Sequence, residues 1–125
     1  MAQTLIHLDT SFLIRALSPN SSEDKRLRGW MADGVGLGMS VIGWTEFLCG
    51  PLEQRQLALA AAIVGQPVPF AAEDSSRTAE LFNGSGRRRG SLIDCMIAAI
   101  AIRMDASLAT ANRADFRRFP ALRLE

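Results

Sequence analysis

Residues 91–102 of the chain read SLIDCMIAAIAI, in which Asp94 is the only charged side chain. Apolar residues on all sides predict a helix buried in the middle of the protein, which we expect to begin at Ser91 and to end near Met104. Burying an unpaired carboxylate is costly, so Asp94 needs an arginine, a group of hydrogen-bond donors or a metal ion beside it. The rest of the chain must supply that partner.

Short apolar segments alternate with helical segments along the rest of the chain. Asn20 and Glu23 have the spacing of a capping box and predict the start of the second helix. We predict strands at 4–8, 35–40, 68–70 and 107–110 with a fifth edge strand allowed at 122–124, and helices at 11–17, 20–32, 43–50, 52–64, 73–82 and 91–104, followed by a turn or short helix at 113–119. This order is typical of one α/β domain spanning residues 1–125, in which helices flank a short, mainly parallel central sheet of four to five strands.

The composition is that of a globular protein with one core. The chain has 125 residues, 48% of them apolar, and no run of eighteen apolar residues that could span a membrane. With no recognisable signal peptide, we expect a cytoplasmic protein in which Cys49 and Cys95 are reduced, buried thiols. His7 is the only histidine; it lies inside the first strand, where a hydrogen-bonded sheet residue is more probable than a metal ligand.

The basic residues are almost all arginine, since Lys25 is the only lysine. A net charge of +1 does not by itself indicate a nucleic-acid partner. Arginine nevertheless presents a planar fork that matches phosphate, and the arginines cluster at 87–89 and at 113, 117 and 118. They are either phosphate contacts or solvated surface charges.

Four acids occupy positions that a parallel sheet would bring together. Asp9 directly follows the first strand and Asp115 lies shortly after the fourth, while Glu46 is on the helix after the second strand and Asp94 is near the start of its own helix. Ligands of open α/β sheets bind beyond the carboxyl ends of the strands. A pocket lined only by carboxylate oxygens suits Mg²⁺ or Mn²⁺ better than zinc.

Each acid also has a purely local explanation. Asp9 could cap the first helix, and Asn112 with Asp115 resembles a capping box. Glu46 could pair with a surface arginine and Asp94 with an interior one. These explanations must all hold independently, whereas one metal site accounts for all four positions.

The sequence resembles PIN-domain ribonucleases, and more specifically the VapC-type toxins of bacterial and archaeal toxin–antitoxin pairs. The resemblance rests on HLDTSFLI at 7–14, MSVIGWTEFLCG at 39–50, GSLIDCMIAAIA at 90–101 and SLATANRADF at 107–116, which occur in the order and spacing of the family over nearly the whole chain. It implies catalytic, metal-binding acids at Asp9, Glu46, Asp94 and Asp115, of which the last is the least fixed position of the family. It also implies polar neighbours at Thr10, Ser11, Thr110 and Asn112.

The same resemblance implies an Mg²⁺-dependent endoribonuclease, with Mn²⁺ as an alternative ion, that leaves a 5′-phosphate and a 3′-hydroxyl. It further implies a homodimer and a small antitoxin that covers the site. Arginines near an acidic pocket would bind phosphates flanking the cut, and the candidates are Arg87, Arg88, Arg89 and Arg113. Candidate partner contacts are Trp30, Trp44 and Phe47, with core packing as the alternative for the last two in particular.

Two other functional classes are open. A phosphotransfer domain would use Asp9 as its nucleophile, but a dehalogenase-type enzyme needs a second aspartate where Ser11 stands, and a receiver domain needs a lysine in a place that Lys25 does not occupy. A non-catalytic PIN-like binding module would usually have lost some of its acids, and all four are present here.

Overall fold

The computed structural model describes residues 4–125 and has a short parallel sheet at its centre. Strand β1, Leu5–Leu8, lies between β2, Gly36–Gly38, and β3, Ser107–Ala109, in the order β2-β1-β3. Both pairings are parallel, so the carboxyl ends of all three strands point to the same edge. This confirms the predicted α/β class with a short parallel sheet.

Single bridges extend the sheet on both sides where further strands were predicted. Val68 pairs with Ser40, just after β2, and Leu124 pairs with β3. Val68 donates to the Met39 carbonyl and accepts from the Val41 N–H, so the backbone nitrogens of its neighbours Pro67 and Pro69 face away from β2 and leave the outer edge of this segment without donors there. The named sheet therefore has three strands, slightly fewer than the predicted four to five.

Helices connect and flank these strands. They are α1 Thr10–Ala16, α2 Ser22–Ala32, α3 Val41–Leu48, α4 Gln54–Val64, α5 Ala72–Gly84, α6 Leu92–Arg103 and α7 Arg113–Phe116. Within residues 4–125 no helix is both long and apolar enough to cross a membrane.

The start of α2 differs from the predicted capping box. Ser21, not Asn20, is the N-cap: its hydroxyl accepts a hydrogen bond of 3.0 Å from the backbone N–H of Asp24. Asn20 has a φ of +67° and donates its own N–H to the Asp24 carboxylate. The chain thus makes a left-handed turn before the helix, a conformation that asparagine adopts more readily than most residues.

Helix α6 is buried over most of its length, as its sequence predicts, but Leu92 and Ile93 in its first turn are exposed. It packs against α5, α3 and β3, and its side chains are almost entirely enclosed from Cys95 to Ala101. Three of those buried residues are alanines, whose small side chains allow the helix to lie close to its neighbours. Asp94 precedes this stretch, in the first turn of the helix.

A buried ion pair joins the far end of α6 to α5. The Arg103 Nε donates to both carboxylate oxygens of Asp74, at 2.9 and 3.1 Å, and its Nη2 donates to the Pro69 carbonyl at 2.8 Å. Asp74 also accepts a 2.8 Å bond from the Ala71 N–H, so its buried charge is fully compensated.

The two cysteines differ in burial. Cys95 is buried, as predicted, and its burial raises the pKa of the thiol. Cys49 is exposed, so that part of the prediction is wrong. The apolar face of α3 turns Gly43 and Phe47 inward, whereas Cys49 follows the last residue of the helix and lies outside that face.

The aromatic residues proposed as partner contacts are largely used inside the fold. Phe47 is fully buried, with its ring centroid 5.4 Å from that of Trp44, so it is core and not a surface contact. Trp30 stacks on Phe12 at 5.4 Å, and the Arg26 guanidinium lies 5.1 Å from its ring centroid. Both tryptophans are half-buried.

His7 is buried in β1, but its expected hydrogen bonds are missing. Among the described residues neither ring nitrogen has a partner. The ring packs on Gly38 of β2, where an added Cβ would lie 3.2–3.3 Å from the imidazole, so a larger residue would crowd it. Burial, with the positive charge of Arg103 adding to it, lowers the pKa of His7 to about 4.

We predict that His7 makes the fold sensitive to mild acid. Because its pKa is lower in the folded chain than in the unfolded one, the unfolded chain binds more protons between about pH 4 and 6.5, and stability is lost as the pH falls through that window. We therefore expect the free energy of unfolding, measured with urea, to fall between pH 7 and pH 5 by roughly 2 kcal/mol more in the parent than in His7→Leu. Parallel pH profiles for the two proteins would contradict this prediction.

Candidate active site

Asp9 lies where the carboxyl ends of β1 and β3 meet. Its backbone N–H donates to the Ala109 carbonyl at 2.9 Å, and its side chain is almost fully buried. The carboxylate does not cap α1, which rules out the local explanation for this acid. Instead its Oδ2 accepts hydrogen bonds of 2.8 Å from the Ser11 and Thr110 hydroxyls.

Those two hydroxyls are themselves held in place by backbone groups. Ser11 Oγ accepts from the Ala111 N–H at 3.1 Å, and Thr110 Oγ1 accepts from the Asn112 N–H at 3.0 Å. Each hydroxyl can therefore direct its single proton toward Asp9. The loop after β3 and the first turn of α1 thus fix one carboxylate in a defined orientation.

Glu46 reaches the same region from α3. The Thr10 hydroxyl lies 2.8 Å from the Gly43 carbonyl and 3.2 Å from Glu46 Oε1, so it links the start of α1 to α3. Partial burial raises the pKa of Glu46; the bond from Thr10 opposes this rise, and the negative charge of Asp9 adds to it. Glu46 is nonetheless an exposed residue overall.

Asp94 is the most perturbed acid of the group. Its pKa is raised to about 6, chiefly by burial and then by the negative charges of Asp9, Asp115 and Glu46, while the positive charge of Arg118 opposes the rise. Its side chain is 30% exposed, so the carboxylate lies at the solvent-facing start of the apolar helix α6 and not in the protein core. The structure thus brings the four acids into one electrostatic neighbourhood.

Arg118 is the functional-site neighbour that the sequence analysis did not single out. Its Nη2 lies 4.0 Å from Asp94 Oδ2, and its Nε donates to the Asp115 carbonyl at 2.8 Å. The only advance signal was its membership of the arginine cluster that follows the fourth predicted strand. It is the interior arginine considered for Asp94, but the pair is loose, and the pKa of Asp94 stays raised despite it.

The four acids do not by themselves form a ready-made metal cage. No three acidic, histidine or cysteine side chains in residues 4–125 are arranged so that they could hold an ion together. Mg²⁺ commonly keeps several of its waters and binds through one or two carboxylates, so it does not require such convergence. An all-oxygen pocket with crowded negative charge therefore fits a hydrated Mg²⁺ or Mn²⁺ ion.

The remaining polar neighbours lie at the edge of this pocket. Asn112 is exposed and precedes α7, but its side chain makes no capping bond, so the capping-box explanation is wrong. Asp115, in the first turn of α7, is half-buried.

The candidate RNA-binding arginines are of two kinds. The Arg87 guanidinium donates a hydrogen bond to the Asn83 side chain and lies 5.5 Å from the ring centroid of Phe82, and the backbone of Arg87 has a φ of +54°. The Arg113 guanidinium donates to the Glu125 carbonyl at 2.6 Å. These two side chains are engaged within the chain. Arg88 and Arg89 are exposed in the turn that leads into α6.

Comparisons with known proteins agree on the fold. Residues 6–122 match the family model described as the PIN domain. A search of curated proteins finds no significant match. Similar solved structures include VapBC2 from Rickettsia felis bound to a promoter DNA fragment (23% identity, 98% of each chain covered, TM-score 0.80) and DNA-bound VapBC from Salmonella typhimurium (19%, 98% of each, 0.75). A toxin–antitoxin complex from Klebsiella pneumoniae is also similar (22%, 94% of each chain, 0.74).

These structural similarities are all at low sequence identity and establish the fold. The family model, by contrast, spans nearly the whole chain, from within β1 to beyond α7. The chain belongs to the PIN domain family.

Proposed function

We propose that this protein is a metal-dependent endoribonuclease that acts as the toxin of a toxin–antitoxin pair. The observation that carries the proposal is that four carboxylates from four separate segments lie within electrostatic reach of one another at Asp94, where burial first and the charges of Asp9, Asp115 and Glu46 second raise the pKa to about 6. Like charges held together in a folded chain favour binding of a cation. Membership of the PIN family and similarity to toxin–antitoxin complexes support the nuclease and toxin roles.

In this proposal the ion, Mg²⁺ or Mn²⁺, would keep several of its waters and be held by one or two carboxylates at a time from the set Asp9, Glu46, Asp94 and Asp115. When bound, the ion would polarise a phosphate and lower the pKa of a bound water. The Ser11 and Thr110 hydroxyls orient Asp9 by occupying its Oδ2, and the Thr10 hydroxyl positions Glu46. Asn112, exposed beside the pocket, is available to a substrate.

The substrate would be a single RNA strand whose phosphates approach an acidic pocket. Arg88 and Arg89 precede α6 and are free of the intramolecular bonds that engage Arg87 and Arg113, so they are the better candidates to offset the repulsion. Cleavage would leave a 5′-phosphate and a 3′-hydroxyl, as the family resemblance implies.

The protein partner would be a small antitoxin, and the chain would also form a homodimer. An apolar groove of about 310 Å³ lies between α1, α2 and α4, with Met31 and Leu59 exposed along it and Asp24 and Arg28 at its polar side. Apolar side chains in a groove with a charged edge suit one face of an amphipathic helix. We propose that an antitoxin helix docks there, in place of the contact first proposed for Phe47.

We predict that the purified protein cleaves RNA only with Mg²⁺ or Mn²⁺, and that Asp94→Asn abolishes cleavage. Cleavage of a mixed RNA pool is followed on denaturing gels, with 5′-end analysis of the products. Asp33→Asn, the same change at an exposed position, serves as the control and should retain activity. Cleavage that survives EDTA, or full activity in Asp94→Asn, would contradict the proposal.

The same variant should be at least as stable as the parent without metal. An aspartate with a raised pKa destabilises the fold as the pH rises through about 4 to 6, so removing it should recover of order 1–2 kcal/mol at pH 7. Thermal melts with and without Mg²⁺ test this; a hundredfold excess over Kd should stabilise the parent by roughly 2.7 kcal/mol and the variant much less. A loss of about 3–5 kcal/mol in metal-free Asp94→Asn would instead identify a structural ion pair with Arg118.

Replacing Arg88 and Arg89 together with alanine should weaken RNA binding and flatten its salt dependence. Each lost phosphate contact lowers the log–log salt slope by about 0.7 for a single strand. Fluorescence anisotropy of a labelled RNA, titrated with the protein in the absence of divalent metal, gives the binding constant at several salt concentrations, and hence the slope of its logarithm against the logarithm of the salt concentration. A double variant of the exposed Arg15 and Arg55, on α1 and α4, should leave it unchanged. Equal slopes for both double variants would assign Arg88 and Arg89 to ordinary surface charge.

We further predict that Leu59→Asp weakens antitoxin binding and leaves RNA cleavage by the isolated chain intact. A charge placed in an apolar groove would have to be desolvated when the partner helix docks. The probe is a synthetic amphipathic helix with one apolar face, and complex formation is measured by calorimetry. Leu48→Asp, at an exposed leucine of α3 outside the groove, is the control. Equal affinities for both variants would place the partner elsewhere.

A further inference from the structure

Arg118 is held beside the acidic pocket by three contacts. Its Nε donates to the Asp115 carbonyl at 2.8 Å, its guanidinium carbon lies 4.9 Å from the ring centroid of Phe119, and its Nη2 is 4.0 Å from Asp94 Oδ2. Only 16% of the side chain is exposed. The cation is therefore fixed next to the carboxylates and is not a solvated surface charge.

The hydrogen bonding of this guanidinium is incomplete. Its Nη1 is buried and has no hydrogen-bond partner among residues 4–125. Arg103 shows the contrast, because it bonds both oxygens of Asp74 at close range. Since its own hydrogen bonds do not compensate the buried charge of Arg118, the compensation must come mainly from the negative field of the nearby acids.

We infer that Arg118 is the internal counter-cation of the acidic pocket and that it competes with a divalent metal ion for the charge of Asp94. The inference rests on the proposed function, because it takes the four carboxylates as the metal site. In the metal-free chain Arg118 offsets part of their mutual repulsion. Once a divalent ion binds, the two cations repel each other, so Arg118 keeps the metal affinity below the value that the acids alone would give.

Arg118 is therefore a positioning residue that acts through Asp94. This role predicts two opposite effects of removing the charge, one on the stability of the metal-free chain and one on metal affinity. Removing the charge should destabilise the metal-free chain while it strengthens metal binding. A residue needed only for packing would weaken both.

Calorimetric titration of the metal-free full chain with MnCl₂ at low ionic strength tests this directly. Arg118→Gln should bind Mn²⁺ about tenfold more tightly than the parent, which corresponds to 1.4 kcal/mol. Arg118→Lys keeps the charge and should stay within about threefold of the parent. Arg117→Gln removes the same charge from the exposed neighbouring residue and should bind like the parent.

A second measurement needs no folded variant. The Nε–H proton of Arg118 is hydrogen-bonded and buried, so its NMR signal can be followed in the parent during an Mg²⁺ titration. It should shift with the Kd that a parallel calorimetric titration of the parent with MgCl₂ gives. The Nε–H signal of Arg103, held by Asp74, is the internal reference and should not move.

The outcomes separate this inference from the function on which it rests. If the parent binds Mn²⁺ and cleaves RNA but Arg118→Gln binds Mn²⁺ equally or more weakly, only the role of Arg118 is overturned. An Arg118 signal that stays fixed while Mg²⁺ binds has the same meaning. If the parent binds neither ion, the metal site itself fails and the inference fails with it.

Discussion

The parallel pairing of β1 with both β2 and β3 is the constraint on which the candidate site depends. A parallel sheet gathers the ends of its strands, so acids that follow different strands must share one small region. Three of the four acids have a side-chain neighbour of their own: two hydroxyls for Asp9, one hydroxyl for Glu46 and a loosely placed guanidinium for Asp94. The neutral partners orient their acids without cancelling the charge, which leaves the pocket attractive to a cation.

The sequence was sufficient to predict the elements whose pattern is local. SLIDCMIAAIAI gave a buried helix because no polar face interrupts it, and the acids after strands were assigned to one edge because parallel strands require it. Helix boundaries that depend on tertiary contacts or on local backbone turns were harder to predict from the sequence. Ser21 and Asn20 are both good caps, and which one begins α2 depends on a left-handed turn at Asn20 that the sequence does not specify.

The sequence pattern singles out the four acids of the candidate site but not the groups that surround them. Arg118 is remote from Asp94 along the chain and reaches it only because α7 packs against α6, so no spacing rule could pair them. A glycine of β2 likewise depends on a contact between strands that residue spacing does not reveal. Gly38 is explained by His7 on the neighbouring strand, whose ring takes the space that a side chain would need. The hydrogen bonds expected for that histidine failed because its neighbours across the sheet offer close packing and no acceptor.

The prolines around Val68 have a consequence beyond the length of the sheet. An exposed strand edge is a template on which another polypeptide can add a strand, and proteins commonly block such edges with proline. Here the outermost segment next to β2 offers one paired residue between two residues without a backbone N–H. Self-association by edge-to-edge β-aggregation is therefore disfavoured on this side of the molecule, and a partner that binds on this side must use side-chain surfaces of the helices instead of extending the sheet.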